Sequence, residues 1–229
     1  MPRVHPRTAM ILAAGRGTRM RSLTAHTPKP LLMVGDRSLI EWQITRLVAA
    51  KIRRIVINHA WLGEQIVRAL GDGTRWGVQI TYSAEPPAAG LETGGGIRQA
   101  LPLLGDQPFL VVNADVWFDL ALGQLSLPAG DLAHLILVPN PTHHPHGDFH
   151  LTSDGRVTCQ SSPMLTYSGI GVYHHDLFRN LPTGTYPLAP ILQQAAETGT
   201  LSGTLYTGNW MDIGTPERLT KLRQRLTTH

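Results

Sequence analysis

Short apolar segments alternate with amphipathic ones through the first half of the chain, and this alternation limits the possible folds more than any other feature. Residues 9–12 form an apolar run too short for a helix and read as a strand. Leu39, Ile40, Ile44, Leu47 and Val48 recur at helical spacing across residues 39–50. Residues 54–58 are short and β-branched, and residues 62–70 are amphipathic until Gly71-Asp72-Gly73 stops them. Residues 78–83 read as a strand, 95–104 as a helix and 109–113 as the most apolar strand. This order predicts an α/β fold: a mixed, mainly parallel sheet with helices on both faces. Ligands of such sheets bind beyond the carboxyl ends of the strands. The loop at 13–17 and the segment 113–117 both follow strands, so they should meet in one cleft.

The second half is less regular. Residues 133–138 and 167–173 read as strands, and 150–159 as a hairpin turning at Ser153-Asp154-Gly155-Arg156. Residues 189–198 read as a helix, 204–207 as a short strand, and Pro216 opens a last helix to about Leu226. No repeat or linker divides the chain, so residues 1–229 are expected to form a single domain.

Composition narrows the function. Apolar residues make up 42% and charged residues 16%, which suits a globular chain and not a disordered one. The net charge of +4 is mild and scattered, so it fits an anionic small substrate better than nucleic acid. The single cysteine, Cys159, excludes internal disulfides and thiolate clusters and reads as a packing residue. The basic start is followed by too short an apolar run for a secretory signal, and no segment is long enough to span a membrane. A cytoplasmic protein is expected, without nucleic-acid or membrane partners, and a monomer or weak homo-oligomer.

The apolar run at 9–12 ends in Ala13-Ala14-Gly15-Arg16-Gly17-Thr18-Arg19-Met20, and Pro28-Lys29-Pro30 follows. A glycine-rich turn after a strand exposes backbone N–H groups that suit phosphate oxygens. Arg16, Arg19 and Lys29 add positive charge where a triphosphate would lie. No Gly-Lys-Ser/Thr is present, and the third glycine of the dinucleotide fingerprint is missing. Asp115 follows the most apolar strand and is placed to hold Mg²⁺, which takes oxygen ligands from one or two carboxylates and substrate phosphates. Asp212, in Trp210-Met211-Asp212-Ile213-Gly214-Thr215, is a second candidate. Taken singly, Asp115 fits a strand-end turn and Asp212 a helix cap; the N-terminal loop favours the metal reading for both. His143, His144 and His146 could suggest zinc, but no fourth ligand is evident and a solvated loop fits better.

These motifs resemble those of the sugar-phosphate nucleotidyltransferases, whose signature runs Leu-Ala-Ala-Gly-x-Gly-x-Arg-Met/Leu and then Pro-Lys-Pro. Segments 58–62, 91–97, 113–117, 143–149, 167–170 and 210–215 look like a short uridylyltransferase subgroup that serves cell-wall sugar recycling. Ala114 stands where the family usually has glycine, and Ser22 and Met33 where it usually has prolines.

The resemblance implies a Rossmann-like nucleotidyltransferase fold. It implies a nucleotide-binding half at about 8–118 and a sugar-binding half at about 119–229. It also implies a nucleoside triphosphate and a sugar 1-phosphate as substrates, with Mg²⁺ held by Asp115 and Asp212. Arg19 and Lys29 should stabilise the triphosphate. Ala13, Ala14, Gly15 and Gly17, with Glu92, Thr93, Gly94 and Gly95, should form the nucleotide pocket under a flexible lip at 85–90. Asn113, Asp148, Ser168 and Gly169 should face the sugar. Many relatives place another lysine near the sugar phosphate, but the chain has no lysine between Lys51 and Lys221. A mannose-1-phosphate guanylyltransferase is the nearest rival. A metal-dependent glycosyltransferase and a sugar-nucleotide sensor are further ones.

Overall fold

The computed structural model describes residues 3–86 and 90–227. Four parallel strands form its centre: β1 (Thr8–Leu12), β2 (Arg54–His59), β3 (Gln79–Ala84) and β4 (Phe109–Asn113), side by side in the order β3-β2-β1-β4. A short strand β5 (Val116–Phe118) leaves the sheet after β4. The sheet is completed by β6 (Ala133–Val138), the small hairpin β7 (Phe149–Leu151) and β8 (Val157–Thr158), the long β9 (Met164–Tyr173) and β10 (Leu201–Leu205). Strand β9 runs antiparallel to β4, with Ile170 opposite Val112 and Tyr173 opposite Phe109. It is antiparallel to β6 as well, while β6 and β10 are parallel. The result is a nine-stranded mixed sheet, mainly parallel, that runs through both halves of the chain. A last strand, β11 (Trp210–Asp212), lies outside it and pairs with β5.

Helices α1 (Leu39–Ala49) and α2 (Gly63–Leu70) cover one face. Helices α3 (Glu92–Leu104) and α4 (Leu188–Glu197) cover the other. Side chains alternate across a strand, so Ala9 and Ile11 join Leu110 and Val112 beneath α1, while Met10 joins Phe109 and Val111 beneath α3. Both faces are buried, which is why the central strands are apolar without interruption. Helix α5 (Pro216–Thr227) closes a third cluster with Met20, Val34 and Leu39. No helix among the described residues is long and apolar enough to cross a membrane.

Two boundaries differ from the sequence reading. Helix α3 starts at Glu92 and not at the expected 95, so Gly94 lies inside it together with Gly95 and Gly96. They are helical because their missing side chains let α3 pack closely: a Cβ on Gly94 would come within 2.6 Å of Ile191 Cδ1. The last strand of the sheet is β10 at 201–205, set by parallel pairing of Leu201 with Ala133, and not 204–207. The pairing of β5 with β11 has no counterpart in the sequence reading.

His134 on β6 ties this edge together. Its Nδ1 lies 2.8 Å from Ser202 Oγ and its Nε2 lies 3.0 Å from Thr204 Oγ1, both on β10. Burial pushes its pKa below the ordinary 6.5, against a smaller upward pull from Asp131. On acidification the unfolded chain therefore takes up this proton first, and stability falls as pH drops below about 6.5. Thermal melts across pH should show a shallower acid loss for His134→Gln than for the wild type. Parallel slopes would remove His134 from the transition.

Candidate active site

Strands β1, β2, β3 and β4 end on one side of the sheet, and a cavity of about 480 Å³ opens there. A buried hydrogen-bond relay fixes its floor. Ala13 N donates to Asn58 Oδ1 at 2.9 Å, and Asn58 Nδ2 donates to Glu85 Oε1 at 2.6 Å. Glu85 Oε2 then accepts from Leu91 N at 3.2 Å. Asn58 and Glu85 are both buried, so the loop after β1, the ends of β2 and β3 and the start of α3 are joined by satisfied polar contacts. Glu85 is thus a fixed internal group and not part of a flexible lip. Pro87, Ala88 and Ala89 of that expected lip lie outside the described residues.

The phosphate-loop residues take distinct places. Ala13, Ala14, Gly15, Arg16 and Lys29 line the cavity. A Cβ on Gly15 would meet nothing within 4 Å, so the backbone there is open to a ligand. Gly17 has φ 65°, which favours glycine, and its Cα side packs on Lys29, where a Cβ would sit 3.1 Å from Lys29 Cβ. Gly17 therefore supports Lys29 and does not line the cavity. The Arg16 guanidinium lies over the Trp61 ring, 4.6 Å from its centroid. Arg19 is exposed and lies outside the cavity wall.

Lys29 is buried and its Nζ donates to Asp115 Oδ2. Asp115 is joined to Asp212 by the two-stranded ribbon of β5 and β11. Val116 pairs with Asp212, Phe118 pairs with Trp210, and Ile213 N donates to Asp115 O at 2.7 Å. The buried Gln43 on α1 donates to Val116 O and anchors the ribbon to the core. Arg218 Nη1 donates to Asp212 Oδ2. Its Nη1 also lies 2.7 Å from His143 Nε2, which is 3.0 Å from Asp212 Oδ1. Asp212 Oδ1 is buried without a hydrogen-bond donor. An orphaned carboxylate oxygen, beside a second aspartate on the same ribbon, fits a hard divalent cation. Lys29 and Arg218 are ion-paired with these carboxylates.

Ala114 is buried in the core with Val112 and Val116 and also lines the first cavity between Asn113 and Asp115. Glu92 and Thr93 reach the first cavity, and Glu92 holds φ 58°, uncommon outside glycine. The bend is held by Tyr186 N donating to Leu91 O and Gly95 N donating to Tyr186 O, each at 3.1 Å. Gly94 and Gly95 face this 184–187 segment and are closed off from the cavity. A second cavity of about 490 Å³ shares Thr93 and Asn113 with the first and adds Asp148, Tyr167, Leu188 and Gln193. Asp148 reaches this wall, but its carboxylate also pins the histidine loop, accepting from Tyr167 N at 2.8 Å with His144 Nε2 3.0 Å away. Ser168 is buried behind the wall, where its carbonyl accepts from Trp210 Nε1 at 2.9 Å. Gly169, at φ 79°, leaves room for Asn113, whose Nδ2 would be 2.6 Å from a Cβ there. The sequence reading missed Asn58, Glu85, Tyr167, Leu188, Gln193 and Arg218. Their only local signals are a polar residue at a strand end and a proline before α4.

Comparison with known proteins agrees with this geometry. The family described as nucleotidyl transferase matches residues 8–158. The chain is 52% identical over 219 residues to N-acetylmuramate alpha-1-phosphate uridylyltransferase of Neisseria meningitidis, covering 92% of this chain and 94% of that protein. It is 33% identical over 236 residues to a Caulobacter vibrioides protein of the same name, covering 96% and 97%. Similarity to mannose-1-phosphate guanylyltransferase of Mycobacterium tuberculosis is 31% over 156 residues, which is 68% of this chain and 37% of that protein. The fold matches HddC of Yersinia pseudotuberculosis bound to GMP-PN, with a TM-score of 0.77 at 19% identity over 96% of this chain and 99% of that one. It also matches a Bacillus anthracis structure assigned as a glucose-1-phosphate thymidylyltransferase, with a TM-score of 0.82 at 22% identity over 95% and 94%.

The relay predicts a stability effect. Asn58→Ala should cost about 1–3 kcal/mol, because it strands Ala13 N and a Glu85 oxygen. Asn58→Asp should cost more at neutral pH, because it sets a carboxylate against Glu85. Urea unfolding of both variants tests this, and an aspartate variant as stable as the alanine variant would refute it.

Proposed function

The chain belongs to the nucleotidyl transferase family, among the sugar-phosphate nucleotidyltransferases, and on that premise we propose that it joins UMP from UTP to N-acetylmuramate 1-phosphate. The products are UDP-N-acetylmuramate and pyrophosphate, in the recycling of peptidoglycan sugar for the cell wall. The observation that supports this reading is the pairing of Lys29 with Asp115 on the wall of the strand-end cavity, next to the ribbon in which Val116 pairs with Asp212. The choice of acceptor and base is supported by similarity to the uridylyltransferases over nearly the whole chain.

The acceptor phosphate oxygen attacks the α-phosphorus, and the bond to the β-phosphate breaks. That oxygen is already ionised, so no general base is required. Positioning and charge neutralisation carry the reaction. Lys29 and Arg16 meet the triphosphate inside the cavity, while Arg19 adds charge from its exposed position beyond the loop. The backbone at Ala13, Ala14 and Gly15, with Glu92 and Thr93, forms the nucleotide pocket; Gly17, Gly94 and Gly95 hold that pocket in shape. Asn113 and Asp148 face the sugar from the second cavity, and Ser168 and Gly169 back them. Asp115 and Asp212 hold Mg²⁺, which when bound supplies Lewis-acid charge neutralisation to the phosphates.

In this reading residues 8–118 seat the nucleotide and 119–229 the sugar, within a single domain of residues 1–229. The enzyme works in the cytoplasm, where nucleoside triphosphates are held. Among the described residues only four large apolar side chains are exposed, Val4, Leu23, Met33 and Leu205, which supports a monomer or weak homo-oligomer.

Pyrophosphate release with Mg²⁺ tests the reading directly. UTP with N-acetylmuramate 1-phosphate should support turnover, and Asp115→Asn should lower it by about 10²-fold or more. That variant keeps an acceptor for Lys29, so its melting temperature should stay close to that of the wild type. Turnover only with GTP and mannose 1-phosphate would overturn the substrate assignment. Near-normal activity of Asp115→Asn would remove Asp115 from the metal site.

A further inference from the structure

The two cavities are unequal in charge. Arg16 and Lys29 line the first, whereas no lysine or arginine lines the second. A triphosphate is therefore served, but the phosphate dianion of a sugar 1-phosphate has no cation on the walls of the second cavity. A third cavity of about 390 Å³ adjoins Asp212 and is lined by His143, Arg218 and Lys221. Its other walls come from Val138 at the end of β6 and Pro139 after it, and from Thr207 and Gly208 after β10. Those strands run parallel to β4, so this cavity opens on the same side of the sheet as the first two.

Arg218 is the pivot of this wall. Its side chain is 18% exposed, and its backbone N donates to Thr215 Oγ1 at 3.4 Å in the first turn of α5. Its guanidinium is shared between Asp212 and His143. A cation on Asp212 Oδ1 would add a second positive charge to a carboxylate whose Oδ2 already takes Arg218, and so would weaken that ion pair. The guanidinium has five donors in a planar fork, which suits a phosphate as a further partner.

We propose that Arg218 is the residue that takes the phosphate of the acceptor, and that the third cavity, with His143 and Lys221, is the oxyanion subsite of the sugar 1-phosphate. The proposal rests on the nucleotidyl-transfer reading and adds the acceptor's cation to it. Arg218 keeps the phosphate beside the ribbon of Asp115 and Asp212.

Calorimetric titration with Mg²⁺ present tests the assignment without turnover. N-acetylmuramate 1-phosphate, N-acetylglucosamine 1-phosphate, mannose 1-phosphate and UTP are titrated separately into the wild type, Arg218→Ala and Arg218→Lys. Arg218→Ala should bind the sugar 1-phosphate at least ~10-fold more weakly, with UTP affinity within about twofold of wild type. Arg218→Lys should fall between, since a point charge replaces the fork. Unchanged sugar-phosphate affinity in Arg218→Ala, or an equal loss for UTP, would overturn the subsite. If the wild type binds mannose 1-phosphate instead, the substrate assignment fails and the same contrast, read with that ligand, decides Arg218. A wild type that binds none of the three sugar phosphates overturns both.

Discussion

The active cleft depends on one buried chain of hydrogen bonds, from Ala13 through Asn58 and Glu85 to Leu91. A strand-end loop must expose its amides to bind phosphate, yet it must not wander. The relay resolves this by spending one amide, that of Ala13, on an internal partner and leaving Gly15 open. A buried carboxylate is costly alone, but Glu85 accepts from both an amide side chain and a backbone N–H. Three strand ends and the start of α3 then move as one unit.

A second constraint is the ribbon of β5 and β11. The two aspartates lie 97 positions apart in the chain, from Asp115 to Asp212, yet pairing of three-residue strands brings them to neighbouring register positions. Such short strands have little stability alone. Gln43 ties β5 to α1, and Trp210 donates to Ser168 O on β9, so the ribbon takes its rigidity from both halves of the sheet. The charges it carries are matched by Lys29 and Arg218.

Much of this was legible in the sequence. The central strands announced themselves because both of their faces are buried, and α1 because its apolar residues keep helical spacing. Asp115 and Lys29 were legible because each sits at a fixed offset from a strand or a proline pair. The start of α3 was not: consecutive glycines look like a turn locally, and only the close approach of Ile191 and the 184–187 segment explains them as helix. Arg218 and Glu85 were not legible as site residues, because their contacts arise from side chains brought together across the fold. Ser168 illustrates the reverse, a residue near the sugar wall in the chain whose contacts face inward.

Thr93 and Asn113 line both the first and the second cavity. They form a party wall between two tenants. A change at either position alters both cavities at once, and in the proposed reading that couples the nucleotide side to the sugar side. Ala60 and Trp61 on one side, and Leu188 and Gln193 on the other, border a single cavity each. Diversification of donor and acceptor within this architecture is therefore free at the outer walls and constrained at the inner one.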